Sequence, residues 1–333
     1  MASSKKRSKK EEDISIGKKY SIRSKVLKEE RQYWVYLPAS YNNNNTSQYP
    51  VLYLLDGNVH FHSVSGMVDF MSTGYNGNNQ IPELIVVGIP NTDRTRDLTP
   101  THSKIGLAGE EHAFLESSGG GDNFLKFIKD ELFPKIETNF RTLPYRILVG
   151  HSFGGLIALY ALINKPQMFN SYIAIDPSLF WDNDLLSRMI KGKIGRIKKL
   201  RASVFLSLAN TPDLVKGSEK KFKAATRKFT AVLKQAYSSK FRFAYKYYNN
   251  ETHGSVPFLS LYHGLLHIFD GYNKYKFENV SDIKSHFKRI SKALGINLTP
   301  SEGQLNGLGY MLLFQKNIKA ALAAFEHYVA SYP

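Results

Sequence analysis

Cysteine is absent from the 333 residues, which excludes disulfides, thiolate catalysis and Cys-ligated zinc or iron–sulfur sites. Also missing is any run of 18 or more apolar residues, so no membrane-spanning helix is expected. The start, Met1 to Asp13, is basic but has no apolar stretch behind its charges. It is therefore read as a disordered tail (1–13) and not as a secretory signal. That makes the chain cytoplasmic as written, or periplasmic if a signal has been removed; composition leaves the compartment open. Acidic residues are few, 28 Asp and Glu against 45 Lys and Arg, for a net charge of +17. The tail holds five basic and three acidic groups, which leaves +15 on the body. Such a balance raises nucleic acid as a partner, but no nucleic-acid module is visible. The densest basic run, Arg188 to Arg201, reads as a solvated link between a helix and a strand. Its alternative is an anion-attracting surface beside a substrate mouth.

What is present is a large apolar fraction, 42 %, and a strict alternation of elements. Tyr20–Leu27 and Arg31–Leu37 alternate apolar and polar residues around a charged turn and predict an antiparallel hairpin. Further on the strands become unbroken apolar runs: Val51–Leu55, Leu84–Ile89, Ile147–Val149, Tyr172–Ile175 and Val204–Leu208, with a last strand at Phe241–Tyr248. Runs of this kind belong to parallel strands covered on both faces. Helical patterns separate them at Asp122–Phe140 (kinked at Pro134), Phe153–Ile163, Asp182–Ile190 and Lys216–Tyr237. The expected fold is α/β: a doubly wound, mostly parallel sheet with an N-terminal antiparallel hairpin and a small all-helical C-terminal appendage.

One stretch carries chemistry. Arg146–Val149 leads directly into Gly150-His151-Ser152-Phe153-Gly154-Gly155, and a helix of small and apolar residues follows. This strand, turn and helix is the context a Gly-x-Ser-x-Gly nucleophile elbow requires, because the strained serine tolerates only small neighbours. A glycine-rich turn with an inert serine is the competing reading. In hydrolases of this architecture the order is serine, acid, histidine. His253, in the loop after the last strand, satisfies that order; His60, His62, His102 and His112 precede the serine, and His263 and His267 fall on the next helix. For the acid, Asp213 stands just beyond Val204–Leu208, with Glu219 and Glu251 as alternatives, or a dyad with none. The oxyanion donors are expected to be the backbone N–H groups of Phe153 and Asn58, the latter in the turn Asp56-Gly57-Asn58.

Taken together, Tyr33–Pro38, Tyr53–Gly57, Asn91–Asp97, Gly150–Gly155 and Glu251–Ser255 resemble the putative-esterase family of α/β-hydrolases. That family includes enterobactin-type siderophore esterases and is akin to feruloyl esterases and S-formylglutathione hydrolases. The resemblance covers roughly residues 14–272 and implies serine carboxylic-ester hydrolysis by Ser152 and His253, with no metal or organic cofactor. It points to a small-molecule ester with a bulky polar part, a siderophore or an acylated sugar, and the +15 charge suggests an anionic one. A non-catalytic binding protein on a hydrolase scaffold is the alternative from another class. Beyond Tyr272 only helices are expected. Leu305, Leu308-Gly309, Ala321, Phe325 and Pro333 match tetratricopeptide spacing, with Leu305 and Leu312 where Trp and Tyr are usual. A lone repeat cannot bury its own face, so 273–333 either packs on the body or was cut from a longer chain at Pro333, and it offers a surface for a protein partner.

Overall fold

The computed structural model describes residues 13–42, 46–73, 78–210, 218–274 and 276–332; residues 1–12 of the expected tail lie outside them. Eight strands form one sheet in the order β1-β2-β4-β3-β5-β6-β7-β8. The hairpin is β1 (Lys18–Arg23) and β2 (Glu30–Tyr36), paired antiparallel. Its turn closes through the Ser24 N–H to Glu29 carbonyl bond, 2.9 Å. Then follow β3 (Tyr49–Leu55), β4 (Ile85–Ile89), β5 (Thr142–His151), β6 (Ser171–Ile175), β7 (Ala202–Ala209) and β8 (Phe241–Tyr248), all mutually parallel where they pair.

Every residue of β3, β4, β6 and β7 is buried. The two faces of β3 feed two apolar clusters: Val51, Tyr53 and Leu55 join one, Leu52 and Leu54 the other. Period-2 alternation thus persists inside a strand that reads as uniformly apolar, because both faces are covered by helices. The helix Phe153–Asn164 packs on the first face, and Gly57–Ser72 and Val256–Ile268 pack on the second. Gly57–Ser72 continues as a helix the turn that the sequence marks at Asp56-Gly57-Asn58. The kink expected at Pro134 takes the form of a π-turn, Ile128–Leu132, between the α-helices Gly121–Phe127 and Phe133–Asn139. Proline lacks the N–H that would continue the tighter pattern.

The C-terminal segment is helical as expected: Val280–Leu294, Glu302–Phe314 and Ile318–Ser331. Ser301 and Gln304 form a capping box at the start of the second helix. The last two helices meet at Gly309, where an added Cβ would lie 2.5 Å from the Phe325 ring. Their inner residues Leu305, Leu308, Leu312, Ala321 and Ala324 belong to the same apolar cluster as Leu52, Ile147 and Phe205 of the sheet. The pair therefore packs on the body.

The basic run ends at Arg201, one residue before β7 begins. It lies at the sheet edge from which β7 starts. The elbow lies at the opposite edge, where β5 ends, so the run does not border a mouth above Ser152 and reads as the solvated link.

Candidate active site

The sheet delivers its chemistry at the carboxyl ends of consecutive strands. β5 runs out at His151, and Ser152 adopts φ 60°, ψ −115° before the helix Phe153–Asn164 begins. That conformation is strained for a residue with a side chain and needs close backbone approach. An added Cβ at Gly150 would meet the Gly154 carbonyl oxygen at 2.2 Å, so glycine is obligatory there. The turn is fastened by the Ser152 N–H to Ile175 carbonyl bond (3.0 Å) and the Ser178 N–H to Ser152 carbonyl bond (3.2 Å).

β5 and β6 are in register with His151 opposite Ile175. One residue further, Ser152 and Asp176 leave the two strands side by side. Asp176 is fully buried; its Oδ2 accepts from His253 Nδ1 at 2.6 Å and its Oδ1 from the Ala209 N–H at 2.9 Å. With Nδ1 engaged, Nε2 of His253 is the nitrogen left for the serine. Ser152 and His253 line one pocket of about 160 Å³. Ser178 is beside them, its Oγ 3.3 Å from that of Ser152.

The carboxylate found on His253 is not one of the expected candidates. Asp213 lies outside the described residues, and the carboxylate bonded to His253 is Asp176, at the end of β6 and not beyond β7. Glu219 instead pairs with Lys223 one turn along its own helix, and Glu251 accepts from Ser255 Oγ at 2.5 Å. A signal was present in the sequence: a lone aspartate closing the fully apolar run that follows the elbow helix. His253 is where the order of residues puts it. His263 is bonded by the Tyr248 hydroxyl and the Leu259 carbonyl on its own helix.

Of the expected oxyanion donors, Phe153 opens the elbow helix. Asn58 is in the first turn of Gly57–Ser72. Val59 and His60 both donate to the Asp56 carbonyl (2.9 and 3.1 Å), which leaves the Asn58 amide ahead of the helical pattern. Asp56 itself is left-handed, φ 54°. Gly57 is forced, since a Cβ there would lie 2.7 Å from the Ile89 amide nitrogen. The Asn91–Asp97 segment explains itself here. Arg94 grips Asp56 through Nε (2.6 Å) and Nη2 (3.0 Å) and also donates to the His151 carbonyl (3.1 Å), while Asn91 donates to Asp56 at 2.6 Å. One guanidinium thus ties the Asp56-Gly57-Asn58 turn to the elbow. Burial pushes the Asp56 carboxyl up, but the bond and charge of Arg94, with Asn91, outweigh it and hold the group below its ordinary range.

Behind the site, His151 packs on His253 with ring centroids 4.3 Å apart, and on His60 at 6.1 Å. Burial, and then the charge of His253 were it protonated, drive His151 down to about 3, so it stays neutral. His151, Asp176 and His253 offer ligand atoms within 4.8 Å of one another, close enough for a metal. Asp176 and His253 already share a 2.6 Å hydrogen bond.

The sequence profile of the family described as Putative esterase matches residues 24–254. Among curated proteins, the chain is 30 % identical over 190 residues to the ferri-bacillibactin esterase BesA of Bacillus subtilis, a match covering 54 % of this chain and 65 % of that protein. It is 34 % identical over 143 residues to the siderophore enterobactin esterase of Emericella nidulans, covering 40 % and 47 % respectively. The chain thus spans less than two thirds of either relative. Among solved structures, an IroE-like serine hydrolase from Shewanella oneidensis superposes with a TM-score of 0.83 at 32 % identity, over 94 % of this chain and 99 % of that one.

Proposed function

Because the chain belongs to the putative-esterase family, we propose that it is a serine carboxylic-ester hydrolase acting through Ser152, His253 and Asp176 on a small-molecule ester of the siderophore or acyl-sugar type. The observation that carries this reading is the Asp176–His253 bond, 2.6 Å, which anchors from behind the histidine that lines one pocket with the strained Ser152. His253 Nε2 takes the proton of Ser152 as Oγ attacks the ester carbonyl. The negative oxygen of the tetrahedral intermediate is met by the N–H groups of Phe153 and Asn58, which act before any solvent reorganisation is needed. Asp176 fixes the tautomer of the neutral imidazole and stabilises the imidazolium that forms. The imidazolium then protonates the departing alcohol, and a water molecule, deprotonated by His253, cleaves the acyl-serine to release the acid. The siderophore class is supported by the relatives above and the acyl-sugar class by the wider resemblance. Ser152→Ala should abolish hydrolysis of a short p-nitrophenyl ester and labelling by a fluorophosphonate probe. Retention of more than about a tenth of the wild-type rate would refute the assignment, since loss of the nucleophile typically costs several powers of ten.

A further inference from the structure

The pocket above Ser152 is walled by aromatic rings: Phe114, Phe180, Trp181 and Phe222. Phe222 stands edge-on to His253, centroids 6.3 Å apart, and Trp181 edge-on to Phe153 at 5.2 Å. Trp181 is pinned by its Nε1 bond to Thr101 Oγ1, 3.1 Å. Such walls favour a flat group. Two further side chains interrupt the apolar lining, Glu110 and His112.

Both come from a tight excursion between Lys104 and His112. It is closed by the Gly106 N–H to Glu110 carbonyl bond (2.8 Å) and the His112 N–H to Lys104 carbonyl bond (2.9 Å). Gly109 turns it at φ +99°, and a Cβ at Gly106 would strike the His112 ring at 2.5 Å. His112 Nε2 is 2.6 Å from Glu110 Oε1, while Oε2 is turned away from solvent and makes no hydrogen bond to another residue. The carboxyl is held below its ordinary range by its own backbone amide and then by His112, so it is charged at neutral pH. Among the described residues lining the pocket no lysine or arginine occurs. Nearby, Lys104 is paired with Glu116 (2.6 Å) and Lys223 with Glu219; Lys221 contributes the weakest of the attractions on Glu110.

We propose that Glu110, positioned by His112, is a specificity-determining residue of this pocket: through its charge it favours esters whose ring is uncharged and rejects esters whose ring is anionic. The inference rests on the hydrolase reading, and it reverses the charge preference suggested by the net charge. A positive total says little about the sign of the field in one cleft. The carboxylate of Glu110 is a charge in the pocket wall itself, part-exposed, so a ring bound there meets it at short range and its effect is sensitive to salt.

The test uses the full chain and two series of probes. One is p-nitrophenyl benzoates with a 3-hydroxyl, 3-methoxy or 3-carboxylate on the acyl ring. The other is phenyl acetates with the same groups on the alcohol ring. Each kcat/KM is divided by the ester's rate in alkali to remove intrinsic reactivity. In at least one series the wild type should favour hydroxyl over carboxylate by about tenfold, as expected for one like-charge contact at intermediate dielectric, and salt should narrow the gap. Glu110→Gln should bring the ratio near one, and Glu110→Lys should invert it. His112→Phe keeps the charge but frees it, and should weaken discrimination without inverting it. Ratios unchanged across all variants of an active enzyme would overturn the inference and leave the hydrolase reading intact. Absence of any ester hydrolysis or serine labelling by the wild type would overturn both.

Discussion

Replacing Asp176 by asparagine changes one atom in a fully buried group, and its effect can be worked out atom by atom. The new side chain can keep its carbonyl oxygen on the Ala209 N–H, where Asp176 Oδ1 now accepts at 2.9 Å. Its amide nitrogen then faces His253 Nδ1, now 2.6 Å from Oδ2. Two donors cannot face each other, so the imidazole must present a bare Nδ1 and carry its proton on Nε2. That nitrogen then cannot accept the proton of Ser152. In Ser-His-Asp hydrolases the same change costs about four powers of ten in kcat, equivalent to about 5.5 kcal/mol of transition-state stabilisation. The effect should fall on kcat, with KM little altered, because the imidazolium forms only during reaction. The assay is steady-state hydrolysis of p-nitrophenyl acetate, with thermal melts to show that the isosteric variant stays folded. Asp213→Asn and Glu219→Gln should leave kcat within about a factor of three, because the carboxylate bonded to His253 is Asp176. A folded Asp176→Asn enzyme with more than a tenth of the wild-type rate, alongside a collapsed Asp213→Asn enzyme, would refute the assignment.

Three other outcomes are expected. Arg94→Gln removes the clamp between Asp56 and the elbow and strands a buried carboxylate, so it should lower kcat/KM and cost about 2–4 kcal/mol of stability at pH 7. The folded Asp56 carboxyl lies below its ordinary value, so its stabilising contribution is present above about pH 4 and is lost as the pH falls through the folded value. The melting gap between wild type and Arg94→Gln should therefore be widest at neutral pH and narrow on acidification; a constant gap would show that Asp56 is not the group concerned. His253→Ala should be as inactive as Ser152→Ala, and the double variant no worse than either single one, because the groups act as a unit. Truncation after Asn273 should leave the chemistry of Ser152 in place per folded molecule, since none of the described residues beyond it lines the pocket. It should melt lower and aggregate more readily, because Phe269 and Tyr272 lose cover from the shared apolar cluster; a soluble, folded but inactive truncate would show that the helices belong to the site.

The strands were legible because a sheet covered on both faces demands uninterrupted apolar runs, and the elbow because its backbone leaves no room for a Cβ at Gly150. His253 followed from chain order alone. Asp176 did not, because which strand end carries the acid depends on lateral register, and register is a property of paired strands. The expectation was tied to the strand Val204–Leu208, whereas the carboxylate closes the strand immediately beside the nucleophile. The basic run kept its reading as a solvated link for a related reason: it precedes β7, so topology sends it to the end of the sheet away from the elbow. The roles of Arg94 and His112 were invisible for want of contacts, since each acts on a residue that only folding brings near it.

The register between β5 and β6 has one more implication. The spacing of Ser152 and Asp176 is inherited from backbone hydrogen bonds common to any parallel pair of strands, and the excursion that carries Glu110 and His112 attaches elsewhere. Cutting and choosing are therefore written in separate parts of the chain. Insertions or exchanges between Lys104 and His112 can retarget the protein while the bond-breaking apparatus stays tuned. An engineer seeking a new ester, or a lineage drifting toward one, has a replaceable bit on a fixed drill.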